Sequence, residues 1–408
     1  MKHTFGHITD RGGNSWMNWL LMPLLLLCLL ACSSADDNNV ATGQTEDTSK
    51  TKLYIYVYAP QEAQSSRAYE GDVDPITNEN SVYSLQIWAF GHASHNLLGY
   101  YASSQPSSLS TANPYELIQM TIDETYAETE EASREHVDVY VAANISNSNC
   151  NVELDEKMTQ AQLEAALLQK TTADPFGMTS PVSVVPTNVG LPMTGVVRDL
   201  SVTGSAPVLR LDNGSGEIAT VYLVRTISKL RFAFSRETGG EALTINSIKL
   251  NTEMLPIAEY FFMADEYDRH TCHIKTESGY DTATPNLLSA PLTGIAENED
   301  PVIYAWGYDE LIPAEYEAKI ETAAASGYLT QRYFYLRESN KLIQGEIKYQ
   351  VGNDEEQTTT FTMVDAGGFS RNHVWTIYSY LAESKLKVIV AEVAPWRQTE
   401  QSYEFYNW

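Results

Sequence analysis

The stretch HTCH at His270–His273 places three metal-capable side chains, His270, Cys272 and His273, within four positions. A structural zinc site takes four ligands, usually as spaced pairs from two elements. No second pair accompanies HTCH, so it reads as a loop. His92 and His95 in FGHASH close a strand pattern and read the same way. GDVDPITNENS at Gly71–Ser81 gathers Asp72, Asp74, Asn78 and Asn80, oxygen ligands of the kind calcium takes. It lacks the glycine at position six and the bidentate glutamate at position twelve of a helix–loop–helix calcium site. DETYAETEEASREH, Asp123–His136, reads as a solvated acidic loop. With 53 Asp and Glu in the chain, paired carboxylates arise by coincidence and indicate no catalytic pair. There is no phosphate-binding loop, dinucleotide fingerprint or Ser-His-Asp order. LPMTG at Leu191–Gly195 spells a sortase signal, but a membrane span and a basic tail should follow it, and a long polar chain follows instead. The reading is therefore of a non-enzyme with no catalytic, cofactor-binding or metal-binding residues.

The residue with a definite chemical expectation is Cys32. Leu20–Ala31, LLMPLLLLCLLA, is an apolar run. It is too short for a membrane span of ~20 residues and fits the core of a signal peptide. It ends in LLAC, with Leu29 at −3, Ala31 at −1 and Cys32 at +1, the lipobox pattern of bacterial lipoproteins. Cys32 is expected to be diacylated through its sulfur and to become the mature N-terminus. The n-region carries only Lys2 and Arg11, and Met17 is an alternative start. Residues 1–31 are thus read as a lipoprotein signal peptide. Residues 32–51, polar and acidic, are read as a flexible tether. Asp36 and Asp37 within it resemble the surface-export signal of Bacteroidota-type lipoproteins.

A net charge of −27 without a basic cluster excludes nucleic acid as a partner. Once Cys32 is lipidated, Cys150 and Cys272 remain, far apart in the chain, and free thiols are expected. The mature chain is long enough for two or three domains.

Strand patterns dominate, and an abundance of Tyr and Thr favours them. KLYIYVYA begins the series at Lys52. VYSLQIWAF (Val82–Phe90), VDVYVAAN (Val137–Asn144), ATVYLVRT (Ala219–Thr226), ISKLRFAFS (Ile227–Ser235) and LTINSIKL (Leu243–Leu250) follow. VIYAWGY (Val302–Tyr308), LIQGEIKYQV (Leu342–Val351), TTTFTMV (Thr358–Val364), HVWTIYSYL (His373–Leu381) and KLKVIVAEV (Lys385–Val393) complete it. Most alternate with a period of two, as a sheet with one buried face requires. Two helices are expected. MTQAQLEAALLQK (Met158–Lys170) has Thr159 as N-cap and a stripe of Met158, Ala161, Ala165 and Leu168. PAEYEAKIETAAASG (Pro313–Gly327) starts with proline and ends with glycine. Many short strands separated by polar loops indicate β-sandwiches, two of them for this length. The boundary is set near Thr226, where two strand patterns abut without turn residues.

Several stretches together resemble the Bacteroidales fimbrillin family, the major and minor fimbrium subunits of type V pili. VYSLQIWAF resembles the first core strand of those subunits, and VDVYVAAN their strand ending in Ala-Asn. LPMTG falls where the family carries a similar Met-Thr segment. ATVYLVRTISKLRF, with Arg225 and Lys229, resembles the double strand at the domain junction. FSRNHVWTIY, with Arg371, Asn372 and His373, resembles the entry into a late strand. AEVAPWRQTEQSYEFYNW, with Trp396, resembles the C-terminal end. The resemblance runs from about Lys52 to Trp408.

The resemblance implies an all-β fold of two transthyretin-like β-sandwich domains with short helical insertions, spanning 52–226 and 227–408. It implies a structural subunit, stalk or tip, of a cell-surface fimbria that supports adhesion. The precursor would be anchored in the outer membrane by its lipid. An Arg-specific surface protease would then remove the lipidated segment together with residues 52–67, the first strand and its loop. Arg67 matches the cleaved arginine and Ala68 the new N-terminus, with Arg134, Arg210 and Arg397 as competing sites. A subunit that is never cut at Arg67 would fit a tip or anchor role. KLYIYVYA would be the placeholder strand, held at a sheet edge. Leu53, Ile55 and Val57 share one face and Tyr54, Tyr56 and Tyr58 the other, and the alternation leaves open which face meets the groove. A strand from another subunit would replace it. The donor would be the tail QSYEFYNW, where Tyr403 and Phe405 alternate with Glu404 and Tyr406, unless that tail is simply the last strand of the second domain.

The partners implied are other fimbrial subunits, the protease and the outer membrane, and no cofactor. The alternative reading is a non-polymerising surface lipoprotein that binds a host glycan or protein, for which 25 Tyr and 7 Trp supply stacking surface. A surface hydrolase, with turnover lost on changing one carboxylate, is a third.

Overall fold

The computed structural model describes residues 50–60, 79–104, 109, 114–145, 150–169, 189–264, 271–283, 286–298, 322–323, 326–363 and 369–395. They belong to one compact unit, 49–408. Its regular structure is almost entirely strand, as the alternation requires.

The first sheet is built from β1 (Lys52–Tyr58), β2 (Leu85–Gly91), β3 (Leu97–Ser103), β4 (Tyr115–Ile122) and β5 (Val137–Ala143). A helical turn, α1 (Glu124–Ala127), follows β4, and a second short helix, α2 (Gln160–Glu164), precedes β6 (Leu167–Gln169). The sheet continues with β7 (Met193–Ser205), β8 (Val208–Asp212), β9 (Thr220–Tyr222) and β10 (Val224–Arg225). Its order is β10-β7-β5-β2-β3-β4-β1-β8, with β9 also on β1. Because β7 pairs with β8 as well, seven strands close into a ring, β7-β5-β2-β3-β4-β1-β8. Closure removes open edges. The ring encloses Leu53, Ile55, Val57, Leu85, Ile87, Ile118, Met120, Val139, Val141, Leu209 and Val221.

The chain leaves this sheet at Thr226. Val224 and Arg225 pair with β7, and Ile227 already opens β11 (Ile227–Glu237) in another sheet. The rest is β12 (Leu243–Leu250), β13 (Ala258–Tyr260), β14 (Glu297–Asn298), β15 (Thr330–Arg337), β16 (Gln344–Val351), β17 (Gln357–Thr362), β18 (His373–Ala382) and β19 (Lys385–Pro395). A five-stranded sheet runs β14-β11-β18-β19 with β15 on β11, and a three-stranded one runs β12-β16-β17. One core draws on both: Phe232, Phe234, Phe334, Trp375 and Ile377 from the first, Ile245, Ile248, Ile347 and Phe361 from the second. The pair β13–β6 ties a strand from the early part of the chain to one from the later part.

Three expectations are corrected. The helix read over Met158–Lys170 shrinks to α2, five residues long. Thr159 caps it as expected, within a full capping box with Gln162. Leu167 and Leu168 are instead drawn into β6, where they pair with Tyr260 and Glu259. Of the expected stripe Met158 and Leu168 are buried, as are Leu163 and Ala166, whereas Ala161 and Ala165 are exposed. The strand ATVYLVRT is split at Leu223, because β9 pairs with β1 and β10 with β7. And β1 is not an edge strand; it has neighbours on both sides. The strand read at Val302–Tyr308 and most of the helix at Pro313–Gly327 lie outside the described residues. Strands β3, β4, β7, β8 and β15 carry weaker alternation and are additions by the structure. In β15, TQRYFYLR, two arginines interrupt the apolar pattern.

Candidate functional site

Strand β1 forms where the alternation placed it. Leu53, Ile55 and Val57 are fully buried in the ring, so the aliphatic face is the inner one. The tyrosines face outward: Tyr58 packs against Tyr115 at 4.5 Å and Tyr222 at 5.2 Å between ring centroids. All seven residues of β1 pair antiparallel with β4, from Lys52 opposite Thr121 to Tyr58 opposite Tyr115. On the other side Lys52–Tyr54 run parallel to β8 and Tyr56–Tyr58 parallel to β9. Lys52 N donates to Pro207 O at 3.0 Å, Tyr56 N to Ala219 O at 3.0 Å, and Tyr58 O accepts from Leu223 N at 2.9 Å. The start of the strand is pinned by Thr51, whose N and Oγ1 both donate to the Glu124 carboxylate of α1, at 3.0 and 3.2 Å. The strand nearest the N-terminus is therefore an interior stave of the ring.

Beyond residues 61–78 the chain re-enters at Glu79 and Asn80, both buried. Glu79 accepts from Lys229 Nζ at 2.8 Å and from the Tyr335 hydroxyl. Asn80 Oδ1 accepts from Arg225 Nη2, and Glu79 O from Arg225 Nε at 3.3 Å. Asn80, weighed above as a calcium ligand, thus holds a guanidinium instead. Arg225 Nη1 also reaches Asn372 Oδ1, at 3.2 Å. Nearby, Arg371 pairs with Glu338 at 2.6 Å, both side chains fully buried. Burial alone would lower the Arg371 guanidinium, but the Glu338 carboxylate overrides it and holds Arg371 above its ordinary value. Arg371 also donates to Phe261 O at 2.8 Å and Tyr260 O at 2.6 Å. The motif residues Arg225, Lys229, Arg371 and Asn372 thus meet in one buried region between the two parts of the chain. The sequence reading missed Glu79, Glu338 and Tyr335, and only the polarity of NEN beside a strand start hinted at Glu79.

Cys32, Arg67, Ala68, Tyr403 and Phe405 lie outside the described residues, as does His270. Cys272 Sγ donates to Ser339 O at 3.1 Å, and burial, with the Glu338 charge, pushes its thiol up to about 12. Among the described residues Cys150 and Cys272 form no disulfide. Among the described residues no group of His, Cys, Asp and Glu could hold a metal ion.

No protein-family model matches the chain, and a search of curated proteins finds no relative. Its backbone is similar to solved structures at low identity. A candidate cell adhesion protein from Parabacteroides distasonis is 15% identical with a TM-score of 0.48, over 86% of this chain and 99% of that one. The tip fimbrial protein Mfa3 from Porphyromonas gingivalis, with C-terminal truncation, is 12% identical with a TM-score of 0.44, over 84% and 99%. A fimbrial protein from Bacteroides vulgatus is 9% identical with a TM-score of 0.43, over 85% and 99%.

Proposed function

We propose that this chain is a structural subunit, stalk or tip, of a cell-surface fimbria. In this reading it is made as a lipid-anchored outer-membrane precursor and assembled by protease-triggered donor-strand exchange. The observation that carries the reading is the position of β1: first in the chain, interior in the ring, and joined onward through the segment that contains Arg67.

Removing β1 leaves a slot with backbone donors and acceptors bare on both β4 and β8/β9. Refilling it supplies generic affinity through the ladder and specificity through alternate side chains. Leu53, Ile55 and Val57 contribute about 1.5–3 kcal/mol each by burial, a sum comparable to the roughly 5–15 kcal/mol that holds a domain folded. An empty slot is therefore short-lived, and a bound strand stays until the chain is cut. The incoming strand must run parallel to β8 and β9, with aliphatic residues at the Leu53, Ile55 and Val57 positions. A one-residue slip would turn its polar face inward. Its source is a further copy or a related subunit, from a tail that includes Tyr403 and Phe405. We read residues 52–226 and 227–408 as two transthyretin-like sandwiches, with the buried Glu79–Arg225–Asn372 contacts between them. Cleavage after Arg67 by an Arg-specific surface protease would leave Glu79 and Asn80 anchored, so the new N-terminus at Ala68 would stay tethered to the body.

The test is the N-terminus of the protein taken from the native cell surface, by intact mass and terminal sequencing. Ala68 at the terminus, abolished by Arg67→Ala, is the expected result. A lipidated Cys32 with residues 52–59 attached would overturn cleavage and favour the non-polymerising surface lipoprotein that binds a host glycan or protein.

A further inference from the structure

Away from β1, a cavity of about 300 Å³ opens between α2 and β7 on one side and the segment after β13 on the other. It is lined by Glu164, Arg198, Tyr260, Phe262, Met263, Ala264 and His273. Its size is at the lower end for small-ligand sites, which favour seams between packed units.

Both walls are fixed in advance. Glu164 Oε1 accepts from the Tyr140 hydroxyl at 2.6 Å, from Arg198 Nη2 at 2.7 Å and from Gln160 Nε2 at 3.4 Å. All three bonds fall on one oxygen, which leaves Oε2 as an acceptor for a ligand hydroxyl. Arg198 Cζ lies over the Tyr140 ring, 5.2 Å from its centre, which together with Glu164 holds the guanidinium in place. The opposite wall is pinned from behind, because buried Arg371 holds the carbonyls of Tyr260 and Phe261. Phe262 is wedged edge-on against Tyr140 and Trp88, at 5.4 and 6.3 Å.

The charges choose the ligand. Arg198 offsets Glu164, and Asp138 lies 3.5 Å from Arg198 on its other side. An anion would face the Glu164 carboxylate and an Arg198 already offset by buried Asp138, and a cation would face the guanidinium. A neutral molecule with adjacent hydroxyls suits both, since each hydroxyl donates and accepts. The Tyr260, Phe262 and Met263 wall asks for an apolar face on the same molecule. We infer that this cavity binds a neutral saccharide, one or two rings in size, with hydroxyls on Glu164, Arg198 and His273 and its C–H face on Tyr260. This goes beyond the strand-exchange reading and does not depend on it, since no residue of the cavity belongs to β1.

The experiment is saturation-transfer NMR with calorimetric titration of the full chain. The probes are the methyl glycosides of glucose, galactose, mannose, fucose and N-acetylglucosamine. At least one should bind saturably at millimolar strength or better, and Glu164→Gln and Tyr260→Ala should each weaken it about tenfold or more, because each removes a contact made to the ligand itself. If Glu164→Gln does not fold, His273→Ala replaces it. No saturable binding by any probe overturns the inference, as does binding that both variants leave unchanged. Either failure would leave the N-terminal processing result untouched.

Discussion

Arg225 Nη1 donates to Asn372 Oδ1 at 3.2 Å, joining residues 147 positions apart, and neither side chain reaches water. Arg225 ends the first sheet and Asn372 begins the approach to β18, in the left-handed region at φ 57°. Asparagine tolerates that conformation better than most residues. The same guanidinium holds Asn80 and the Glu79 carbonyl, so one cation gathers three separate parts of the chain.

Removing one partner from such a site leaves buried polar groups stranded. Arg225→Ala should destabilise the protein by about 3–5 kcal/mol and Asn372→Ala by about 1–3 kcal/mol. In urea unfolding, the double variant should show a coupling of about 0.5–3 kcal/mol. Strict additivity would mean that the two residues act separately.

The two faces of β1 should respond very differently. Ile55→Ala empties a fully buried position and should cost about 2–5 kcal/mol. Tyr54→Ala, on the outer face, should cost about 1 kcal/mol or less. Denaturant midpoints of the uncut chain compare them, and equal losses would contradict the assignment of the inner face.

The β2–β5 end of the ring carries a pH-sensitive pair. His92 Nδ1 meets Asp138 Oδ1 at 2.7 Å, and the hydrogen bond and charge of Asp138 raise the imidazole above its ordinary value. Asp199 adds to this and Arg198 opposes it. Burial would raise the Asp138 carboxyl, but the Asp199 N–H and His92 together hold it below its ordinary value. A raised histidine contributes stability that is fully present below about pH 6.5 and is lost as pH rises through its folded value. A depressed aspartate contributes stability present above its ordinary value and lost as pH falls through its folded one. Thermal midpoints of His92→Gln should therefore fall further below the parent at pH 5.5 than at pH 8.5. A constant gap would exclude the pair as a source of pH dependence.

Gly345, in β16 opposite Phe361, tests the packing of the three-stranded sheet. A Cβ there would sit 2.3 Å from the Lys249 carbonyl oxygen and 2.5 Å from the Phe361 ring. Backbone cannot yield as a side-chain tip can, so Gly345→Ala should cost about 1–3 kcal/mol, read from the urea midpoint. A neutral outcome would mean that β12 and β16 can part locally.

The inner face of β1 was legible because alternation is a local property: Leu53, Ile55 and Val57 must share a face whatever pairs with them. The same local rule marked β5, β11, β12, β16, β18 and β19. It also showed two strand patterns abutting at Thr226, which the structure sends into different sheets. Lipidation of Cys32 is an expectation from residue order and cleavage at Arg67 one that the family resemblance implies, and both positions lie outside the described residues. Pairing is a different matter. That β1 has β4 on one side and β8 and β9 on the other depends on partners up to 164 positions from it, such as Thr220 opposite Tyr56, and no periodicity encodes that choice. The helix over Met158–Lys170 failed for the same reason, since Leu167 and Leu168 gain more from pairing with β13 than from another helical turn. The cavity and the Arg225 contacts were hidden because they are meetings of charges from distant segments. In sequence Arg225, Lys229 and Asn372 stand out only as motif residues of a resemblance, with nothing to say that they meet, and Glu79 is one acid among many. Only the folded chain brings them out of water together, and burial is what turns them from solvated charges into a junction.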